Sequence, residues 1–275
     1  MSVSIITACK NRSKALSISI ASWIQCDEVD EIIVTDWNSD ESIDYLAKRS
    51  EKIKIVGVKN EPYFNQPQPL NLAASLVSSE YILKLDCDHI LNPYFNFFDL
   101  HQLEENKLIV GFNSLVDNEF LHPLWGLLYV KTETFKKVGG YNENMGKYYA
   151  VEDDELCTRL MSYGCIPIPM QIHKFSTLHI PHTDKDRVSN FESFQKIQKI
   201  LRADEAQFDE SRIYNYAANI CKRKNIEDYP LCSRIKTIFK EDSYDELGWI
   251  DFYSEPLYKW EISQQNHQIY KAVKI

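Results

Sequence analysis

Two aspartates separated by one residue follow a short apolar run, a pattern that suits an oxygen-rich metal site. The run 81–85 is too short for a helix and indicates a buried strand that stops at Asp86 and Asp88. Alternate side chains at the end of a strand point the same way, so a bend there lets both carboxylates face one hard cation. The other interpretation is an Asp-rich turn that only caps a strand. A lone Asp-x-Asp favours that interpretation until its surroundings fit.

Strands that alternate with helices precede this motif and predict a parallel sheet with right-handed crossovers. The predicted strands cover residues 3–7, 31–35, 53–59 and 81–85, and the predicted helices begin at Ser13 and cover 42–49 and 69–77. Ligands of such sheets bind beyond the carboxyl ends of the strands. The turn at residues 10–12, Asp36 with Asn38, and Asp86 with Asp88 are therefore expected at one edge. None of the eight glycines follows the first strand, which disfavours a phosphate loop or a dinucleotide fingerprint.

A second acidic group opens a helix in the middle of the chain. Strands are predicted over 108–112, 125–130, 166–170 and 173–178, and helices over 132–138 and from Glu152. Acidic residues in a first helical turn are favoured by the helix dipole. Four in a row, residues 152–155, exceed what a cap needs. From about residue 185 the pattern is amphipathic and helical. The last third therefore predicts a helical appendage.

Composition excludes several classes of protein. The net charge of −9 disfavours a general nucleic-acid binder, which needs a basic footprint. Seven scattered cysteines suit free thiols in a reducing compartment better than a disulfide framework. No signal-peptide pattern or membrane span is evident. The chain is expected to be cytoplasmic, or peripheral at the inner face of the cell membrane.

Taken together, the motifs resemble family 2 glycosyltransferases of the GT-A fold. The first half of this resemblance rests on the segments 4–7, 11–12, 36–39 and 86–88, with Asn71. The segment 135–143, the acidic run at 152–155 and Arg159-Leu160 resemble the C-terminal half of galactosyltransferases and chondroitin-polymerase-type enzymes. The resemblance covers roughly residues 2–190, and the combination of motifs is more specific than any one of them.

The resemblance implies an α/β fold with a Rossmann-like, mostly parallel sheet, and the amphipathic pattern beyond it predicts a C-terminal helical extension. The chain is therefore expected to divide into a GT-A domain at 1–184 and this extension at 185–275. Within the domain, 1–105 forms the nucleotide-sugar-binding half and 106–184 the acceptor and catalytic half. The implied partners are a UDP-sugar donor and a saccharide or lipid-linked saccharide acceptor, with Mn²⁺ or Mg²⁺. The implied reaction is inverting transfer to a hydroxyl, in the synthesis of a surface polysaccharide such as capsule or lipopolysaccharide.

Residue roles carry over from the resemblance by position. Asp153 matches the catalytic base, with Glu152 and Asp154 beside it. The residues matched to the nucleotide sugar are Thr7, Arg12, Asp36, Asn71, Lys84 and Asp86. The residues matched to the metal are Asp86, Asp88, His179 and His182, with His182 favoured over His179. The aromatic residues expected to stack on acceptor sugars are Trp125, Tyr148 and Tyr149. His89 is either a further metal ligand or a hydrogen-bonding residue at a strand end, and the second role is favoured.

The residue types fit this chemistry. A divalent cation neutralises a departing diphosphate, and two carboxylates with an imidazole suit Mn²⁺. A carboxylate near the acceptor hydroxyl takes its proton, and neighbouring negative charge raises the pKa of such a carboxylate. Two alternatives remain open at this point. One is a non-catalytic module that binds nucleotide sugars or scaffolds a complex, and the other is a metal-dependent phosphoester hydrolase.

Overall fold

A nine-stranded, mostly parallel sheet organises the chain. The computed structural model describes residues 2–61, 64, 66–91, 106–111, 126–143, 152–169, 177–180, 258–262 and 269–274. In the sheet the strands run in the order 258–262, 269–274, 53–58, 29–37, 3–9, 81–84, 128–131, 107–110 and 166–169. The strands 89–91 and 177–179 form a separate pair. The predicted α/β class with a mostly parallel sheet is confirmed. No helix in the described part of the chain is long and apolar enough to cross a membrane.

The first half contains four parallel strands joined by helices. The strands are β1 Val3–Cys9, β2 Val29–Trp37, β3 Ile53–Val58 and β4 Tyr81–Lys84. The helices are α1 Ser13–Ile24, the 3₁₀ helix Asp44–Arg49 and α2 Pro67–Ser75. β1 pairs in parallel with both β2 and β4, so it occupies the centre of this half. Every strand of the predicted βα series forms close to its predicted position.

The second half reverses the direction of pairing. Its elements are β5 His89–Leu91, β6 Lys107–Val110, β7 Leu128–Lys131, α3 Thr132–Lys137, α4 Glu152–Ser162, β8 Ile166–Pro169 and β9 Thr177–His179. β7 runs antiparallel to β4 and to β6, whereas β8 runs parallel to β6. This arrangement brings the start of α4 to the edge where β4 ends.

Buried side chains fill both faces of the sheet. On β1, Ile5 belongs to the core cluster that contains Trp23 of α1. The neighbouring Ile6 belongs to the other cluster, with Leu70 of α2 and Leu156 of α4. Successive strand residues point to opposite faces, so a strand covered on both sides is apolar throughout. This burial fixes the ends of β1, β2 and β4 relative to one another.

The C-terminal segment differs from the prediction. Tyr258–Ile262 and Ile269–Lys274 are strands, β10 and β11, and not helices. They pair antiparallel with each other, and β11 pairs in parallel with β3. The helical interpretation of 185–275 is therefore wrong for these two segments, because β11 satisfies the backbone groups on the outer side of β3. Residues 181–257 lie outside the described part, and the domain boundary at 184 stays a prediction.

Near the amino ends of the strands, away from the predicted ligand-binding edge, Glu31 of β2 contacts residues of β1 and β3. Its Oε1 accepts hydrogen bonds from Ser4 Oγ at 2.5 Å and from the Ser78 backbone N–H at 2.7 Å. Its Oε2 is paired with Lys54. Burial alone would raise the pKa of Glu31, but the hydrogen bonds from Lys54, Ser4 and Ser78 outweigh it and lower the pKa.

We expect Glu31→Gln to lower the free energy of unfolding by about 1–3 kcal/mol at pH 7, since it leaves Lys54 beside a neutral amide. A lowered folded-state pKa contributes stability above the ordinary value near 4.5. That contribution is lost as the pH falls through the lower value in the folded protein. Urea unfolding from pH 7 to pH 3 should show the difference from wild type shrinking below that ordinary value. A difference that stays constant to pH 3, or an equal loss in the exposed Glu28→Gln, would contradict this account.

Candidate active site

The carboxyl ends of β1, β2 and β4 bring three polar turns to one edge, as the sequence predicts. Cys9 at the end of β1 pairs with Asp36, and Ile6 pairs with Lys84 at the end of β4. The buried Lys10 ammonium fastens the turns. It donates to the carbonyls of Trp37, Asn38 and Glu61 at 3.1, 3.1 and 3.0 Å. Lys10 therefore connects the turn after β1 to the segments that follow β2 and β3.

Two asparagines bend the chain at this edge. Asn11 and Asn38 have φ values of +57° and +56°, the left-handed region that asparagine tolerates. The Asn11 carboxamide accepts from the Asp40 backbone N–H at 2.8 Å and donates to the Asp40 carboxylate at 3.1 Å. These bonds hold the first turn, including Arg12, against the turn after β2.

Each aspartate of the Asp-x-Asp turn is paired with a basic side chain. Arg12 Nη2 lies 2.9 Å from Asp88 Oδ2, and Lys84 Nζ lies 3.0 Å from Asp86 Oδ1. Asp88 is buried, and Asp86 is partly exposed. Burial alone would raise the pKa of Asp86, but the neighbouring Lys84 and the more distant His89 and Arg12 lower it to about 2. Each carboxylate of the turn therefore lies against the basic side chain of Arg12 or Lys84.

A third possible metal ligand lies in the same turn. One ligand atom from each of Asp86, Asp88 and His89 falls within 4.8 Å of the others. Among the described residues this is the one group of three His, Cys, Asp or Glu side chains with such spacing. Its mixed oxygen and nitrogen donors suit Mn²⁺ or a similar borderline ion. The Asp86 backbone N–H lies 3.4 Å from His89 Nδ1. His89 therefore belongs to the site, and the sequence alone left its role open.

The pair of strands β5 and β9 brings a second histidine position to this turn. His179 is the antiparallel partner of His89 in the register of the two strands. The Ile180 backbone N–H donates to the Asp88 carbonyl at 2.9 Å. The chain that carries His179 therefore lies against the Asp-x-Asp turn, as a metal role for it requires. His182 lies outside the described residues.

Acidic residues at the start of α4 meet the same cluster from the other side. Asp153 Oδ2 lies 3.5 Å from Lys84 Nζ, and its Oδ1 accepts from the Tyr141 hydroxyl at 2.8 Å. Glu152 is 4% exposed, and burial together with Asp153 raises the pKa of Glu152 to about 8. The sequence predicts the effect of neighbouring negative charge on Asp153. The structure shows that effect on Glu152, whose pKa Asp153 helps to raise. Burial and the neighbouring Asp153 therefore favour the protonated form of Glu152.

Lys84 is the centre of this cluster. Its side chain is 1% exposed. Burial opposes its charged form, but Asp153 and Asp86 outweigh burial and raise its pKa above the ordinary value. With the Gln66 amide oriented to satisfy both contacts, its oxygen accepts from Lys84 Nζ at 3.0 Å and its nitrogen donates to Glu152 Oε1 at 3.3 Å. Gln66, at the start of α2, thus connects the two sides of the cluster.

Gly126 packs against this cluster where a side chain would not fit. A Cβ at this position would lie 2.6 Å from Lys84 Nζ, 3.1 Å from Asp153 Oδ2 and 3.3 Å from Asp86 Oδ2. The φ of Gly126 is +87°, a conformation that residues with a Cβ rarely adopt. Glycine is therefore required here both by its backbone and by the close approach of three charged groups.

We expect Gly126→Ala to lower turnover by at least about tenfold, because the added methyl displaces Lys84 and the two carboxylates from their positions. Gly164→Ala is a matched control, since Gly164 also has a positive φ, +98°, but follows α4 at its far end. Both variants should lose about 1 kcal/mol or more of stability from backbone strain. Thermal unfolding and a transfer assay on each separate the effects. Equal activity in the two variants would contradict the close-approach argument.

Of three other predicted donor-binding residues near the same edge, Thr7 and Asp36 are buried and Asn71 is partly buried. The Thr7 hydroxyl, on β1, has no hydrogen-bond partner among the described residues. Asp36 accepts from the Ser39 backbone N–H at 3.1 Å, and burial raises the pKa of Asp36. Asn71 ties α2 to the segment after α3, where it donates to the Tyr141 carbonyl at 2.8 Å and to Glu143 at 3.0 Å. These contacts give Asn71 a structural role, and its donor-binding role stays a prediction.

Several predicted residues cannot be placed. The positions of Trp125, Tyr148, Tyr149 and His182 lie outside the described residues, as do the side chains of Asp154 and His179. Sequence reasoning assigned no site role to Gln66, Gly126 or Tyr141, which contact the cluster directly. The weak signals available were a glycine beside Trp125 and a tyrosine directly after Gly139-Gly140. Neither signal says what the residue touches.

Two family models match the chain in sequence. The model of glycosyl transferase family 2 matches residues 4–137. The model described as the N-terminal domain of galactosyltransferase matches residues 123–183. The two matches overlap at residues 123–137. The first contains Lys84 and the Asp-x-Asp turn, and the second contains the acidic start of α4. A search of curated proteins gave no match.

Solved structures share the fold. S. aureus TarS residues 1–349 in complex with UDP-GlcNAc is 15% identical with a TM-score of 0.54, over 81% of this chain and 72% of that one. The same TarS fragment with UDP is 16% identical with a TM-score of 0.51, over 88% and 77%. The mannosyltransferase PcManGT from Pyrobaculum calidifontis, in complex with GDP-Man and Mn²⁺, is 13% identical with a TM-score of 0.52, over 86% and 78%. At these identities the likeness concerns the fold alone.

Fold, site and family models agree. Residues 4–137 match the sequence model of family 2 glycosyltransferases, and the chain has the GT-A fold. The resemblance inferred from the sequence motifs is confirmed, and the activity class is sugar transfer.

Proposed function

We propose that this chain is an inverting, metal-dependent glycosyltransferase that moves a sugar from a UDP-sugar to a hydroxyl of a saccharide acceptor. The observation that carries the proposal is the convergence of two distant carboxylates on one ammonium group. Lys84 Nζ lies 3.0 Å from Asp86 and 3.5 Å from Asp153, although these aspartates belong to β4's end and to α4. A group for the leaving diphosphate and a base for the acceptor therefore occupy one site.

The proposed role of each residue follows from its position in the site. Asp86 and Asp88, with His89 and the position of His179 beside them, would hold a divalent cation. When bound, the cation supplies positive charge for the departing diphosphate. Arg12 reaches the same turn and adds positive charge at its rim. Asp36 and the unpartnered Thr7 hydroxyl lie at the edge where the nucleoside would bind.

Asp153 is the proposed base. Its carboxylate takes the proton of the acceptor hydroxyl as that oxygen attacks the anomeric carbon of the donor. The bond from this carbon to the diphosphate oxygen breaks in the same step, and the nucleoside diphosphate leaves on the opposite face. A single displacement inverts the anomeric configuration. The hydrogen bond from Tyr141 at 2.8 Å fixes the orientation of the carboxylate that receives the proton.

The names of the similar structures support a nucleotide sugar as donor without choosing one. TarS was solved with UDP-GlcNAc and PcManGT with GDP-Man. The preference for UDP, the choice of Mn²⁺ over Mg²⁺, and a role in surface-polysaccharide synthesis at the inner face of the membrane rest on the sequence resemblance. The acceptor is proposed to be a saccharide, free or lipid-linked.

A transfer assay tests this proposal. The purified chain is incubated with UDP- and GDP-sugars, saccharide acceptors and Mn²⁺, and release of nucleoside diphosphate is followed. We expect release from a UDP-sugar that stops when EDTA removes the metal, and a product whose anomeric proton shows inverted configuration by NMR. Retention of configuration would contradict a single displacement. Tight UDP binding without turnover over the whole panel would favour a non-catalytic module, and hydrolysis of simple phosphoesters would favour a hydrolase.

A further inference from the structure

The ammonium group of Lys84 is buried in a position that donor binding does not explain. A residue that grips phosphate from beside the Asp-x-Asp turn needs an ammonium that reaches the open edge of the sheet. Lys84 ends β4 at this edge, but its side chain is only 1% exposed. Its sequence assignment as a nucleotide-sugar-binding residue therefore has no support in the geometry.

Three oxygens of the described residues lie near the ammonium group of Lys84. Asp86 Oδ1 lies 3.0 Å away, Asp153 Oδ2 lies 3.5 Å away, and the reoriented Gln66 oxygen lies 3.0 Å away. Gly126 closes the remaining side, since a Cβ there would lie 2.6 Å from Nζ. An ammonium group has three hydrogens to donate, and three oxygens surround this one. These three oxygens match the donating capacity of the ammonium group.

The two carboxylates that Lys84 contacts have different tasks in the proposed reaction. Asp86 belongs to the turn that would hold the cation and the diphosphate, and Asp153 is the proposed base. Without a cation between them, two carboxylates brought together would repel and move apart. The ammonium of Lys84, placed between them, offsets this repulsion. The Gln66 oxygen gives the ammonium a third contact, and the missing side chain of Gly126 leaves room for it.

We propose that Lys84 is a positioning residue that couples the metal-binding carboxylate Asp86 to the base Asp153, and that it does not contact the donor. This inference rests on the proposed function, because it assigns these two carboxylates their roles. When a cation binds at Asp86, that carboxylate shares its charge with the cation. The ammonium is then held more by Asp153, and the base is fixed in place once the donor side is loaded.

The first test compares turnover with donor affinity. Lys84→Met keeps most of the unbranched side chain and removes its charge, and Lys84→Gln keeps a donor group without the charge. We expect kcat to fall by about 10²-fold in both, because the base is no longer held in place. The KM for the UDP-sugar should stay within about threefold of wild type. A raised KM with kcat retained would show that Lys84 contacts the donor, and the proposal would be overturned.

The second test needs no turnover. Free Mn²⁺ is measured by electron paramagnetic resonance during titration of wild type, Lys84→Met, Asp153→Asn and the double variant. We expect Lys84→Met to bind Mn²⁺ as tightly as wild type or more tightly, since a competing positive charge beside Asp86 is gone. Asp153→Asn should weaken Mn²⁺ binding several-fold when Lys84 is present and much less when it is Met. Such non-additivity is the signature of a coupled group.

Lys54→Met serves as a matched control. Lys54 is also a strand lysine in an ion pair with a buried carboxylate, Glu31, but it lies at the opposite edge of the sheet. We expect it to lose stability with kcat and Mn²⁺ affinity unchanged. If the two Lys84 variants lose stability, kcat and Mn²⁺ affinity in parallel, Lys84 is only structural and the proposal is wrong. Additive Mn²⁺ affinities in the four-variant cycle would also overturn it. A wild type without transferase activity but with coupled Mn²⁺ affinities would contradict the proposed function and leave the coupling supported.

Discussion

Asp153→Asn is expected to lower kcat for sugar transfer by about 10²- to 10⁴-fold, the usual contribution of a general base. The amide has nearly the same shape and can still accept the hydrogen bond that the Tyr141 hydroxyl donates at 2.8 Å. It cannot take the acceptor proton. UDP binding in the presence of Mn²⁺ should remain within about tenfold of wild type, because the Asp-x-Asp turn is unchanged.

Steady-state kinetics and calorimetric titration with UDP and Mn²⁺ on the same preparation check this prediction. Asp27→Asn is the control for a change of charge, since Asp27 is an exposed residue between α1 and β2. Full transferase activity in Asp153→Asn would show that another group is the base. In that case Glu152, whose pKa burial and Asp153 raise to about 8, would be the next residue to replace.

The second large effect is expected in Asp88→Asn, which should abolish metal-dependent binding of UDP. Asp88 is 1% exposed and pairs with Arg12 at 2.9 Å. Loss of the carboxylate removes a proposed metal ligand and leaves the guanidinium beside a neutral amide. Changes in the surroundings of metal ligands alone typically cost 10–100-fold in affinity, so loss of a ligand should cost at least about 100-fold.

Calorimetric titration of UDP with and without Mn²⁺ measures this loss. The unpaired Arg12 should also lower stability by about 1–3 kcal/mol, which urea unfolding of the same variant quantifies. If the variant is folded and still binds UDP more tightly with Mn²⁺ than without, Asp88 is not a metal ligand. The control Asp27→Asn should bind as wild type does.

The first half of the fold was predictable because its signals are local. Buried parallel strands are continuous apolar runs, and β1, β2, β3 and β4 all form close to their predicted positions. Their order then brings Arg12, Asp36 and Asp86 together, since the carboxyl ends of parallel strands share an edge. Shared direction alone therefore predicted which turns would meet.

Other features depend on contacts between distant parts of the chain. β11 pairs with β3 across more than two hundred residues, and no local pattern encodes such pairing. The close approach of Gly126 to Lys84 likewise depends on how β7 packs beside β4. The partnership of His89 with His179 follows from the β5–β9 pair, which the sequence did not reveal.

The burial of the Lys84 side chain is a feature that its sequence position does not show. Its position beside the Asp-x-Asp motif suggested a donor contact, because the sequence gives position along a strand and says nothing of depth. In the structure its buried ammonium lies between the carboxylates of Asp86 and Asp153. Burial and the closure by Gly126 come from tertiary packing, and they change the expected role from ligand binding to positioning.

The central claim is that the edge formed by Asp86, Asp88 and Asp153 is a metal-dependent nucleotide-sugar site. A thermal-shift panel of UDP, GDP and their sugars, each with and without Mn²⁺, tests it most directly. A ligand that binds only the folded protein stabilises it by about 2.7 kcal/mol at a hundred times its Kd. We predict a shift with UDP or a UDP-sugar that requires Mn²⁺ and disappears in Asp88→Asn. A shift that is the same without metal, or that persists in Asp88→Asn, would contradict the claim.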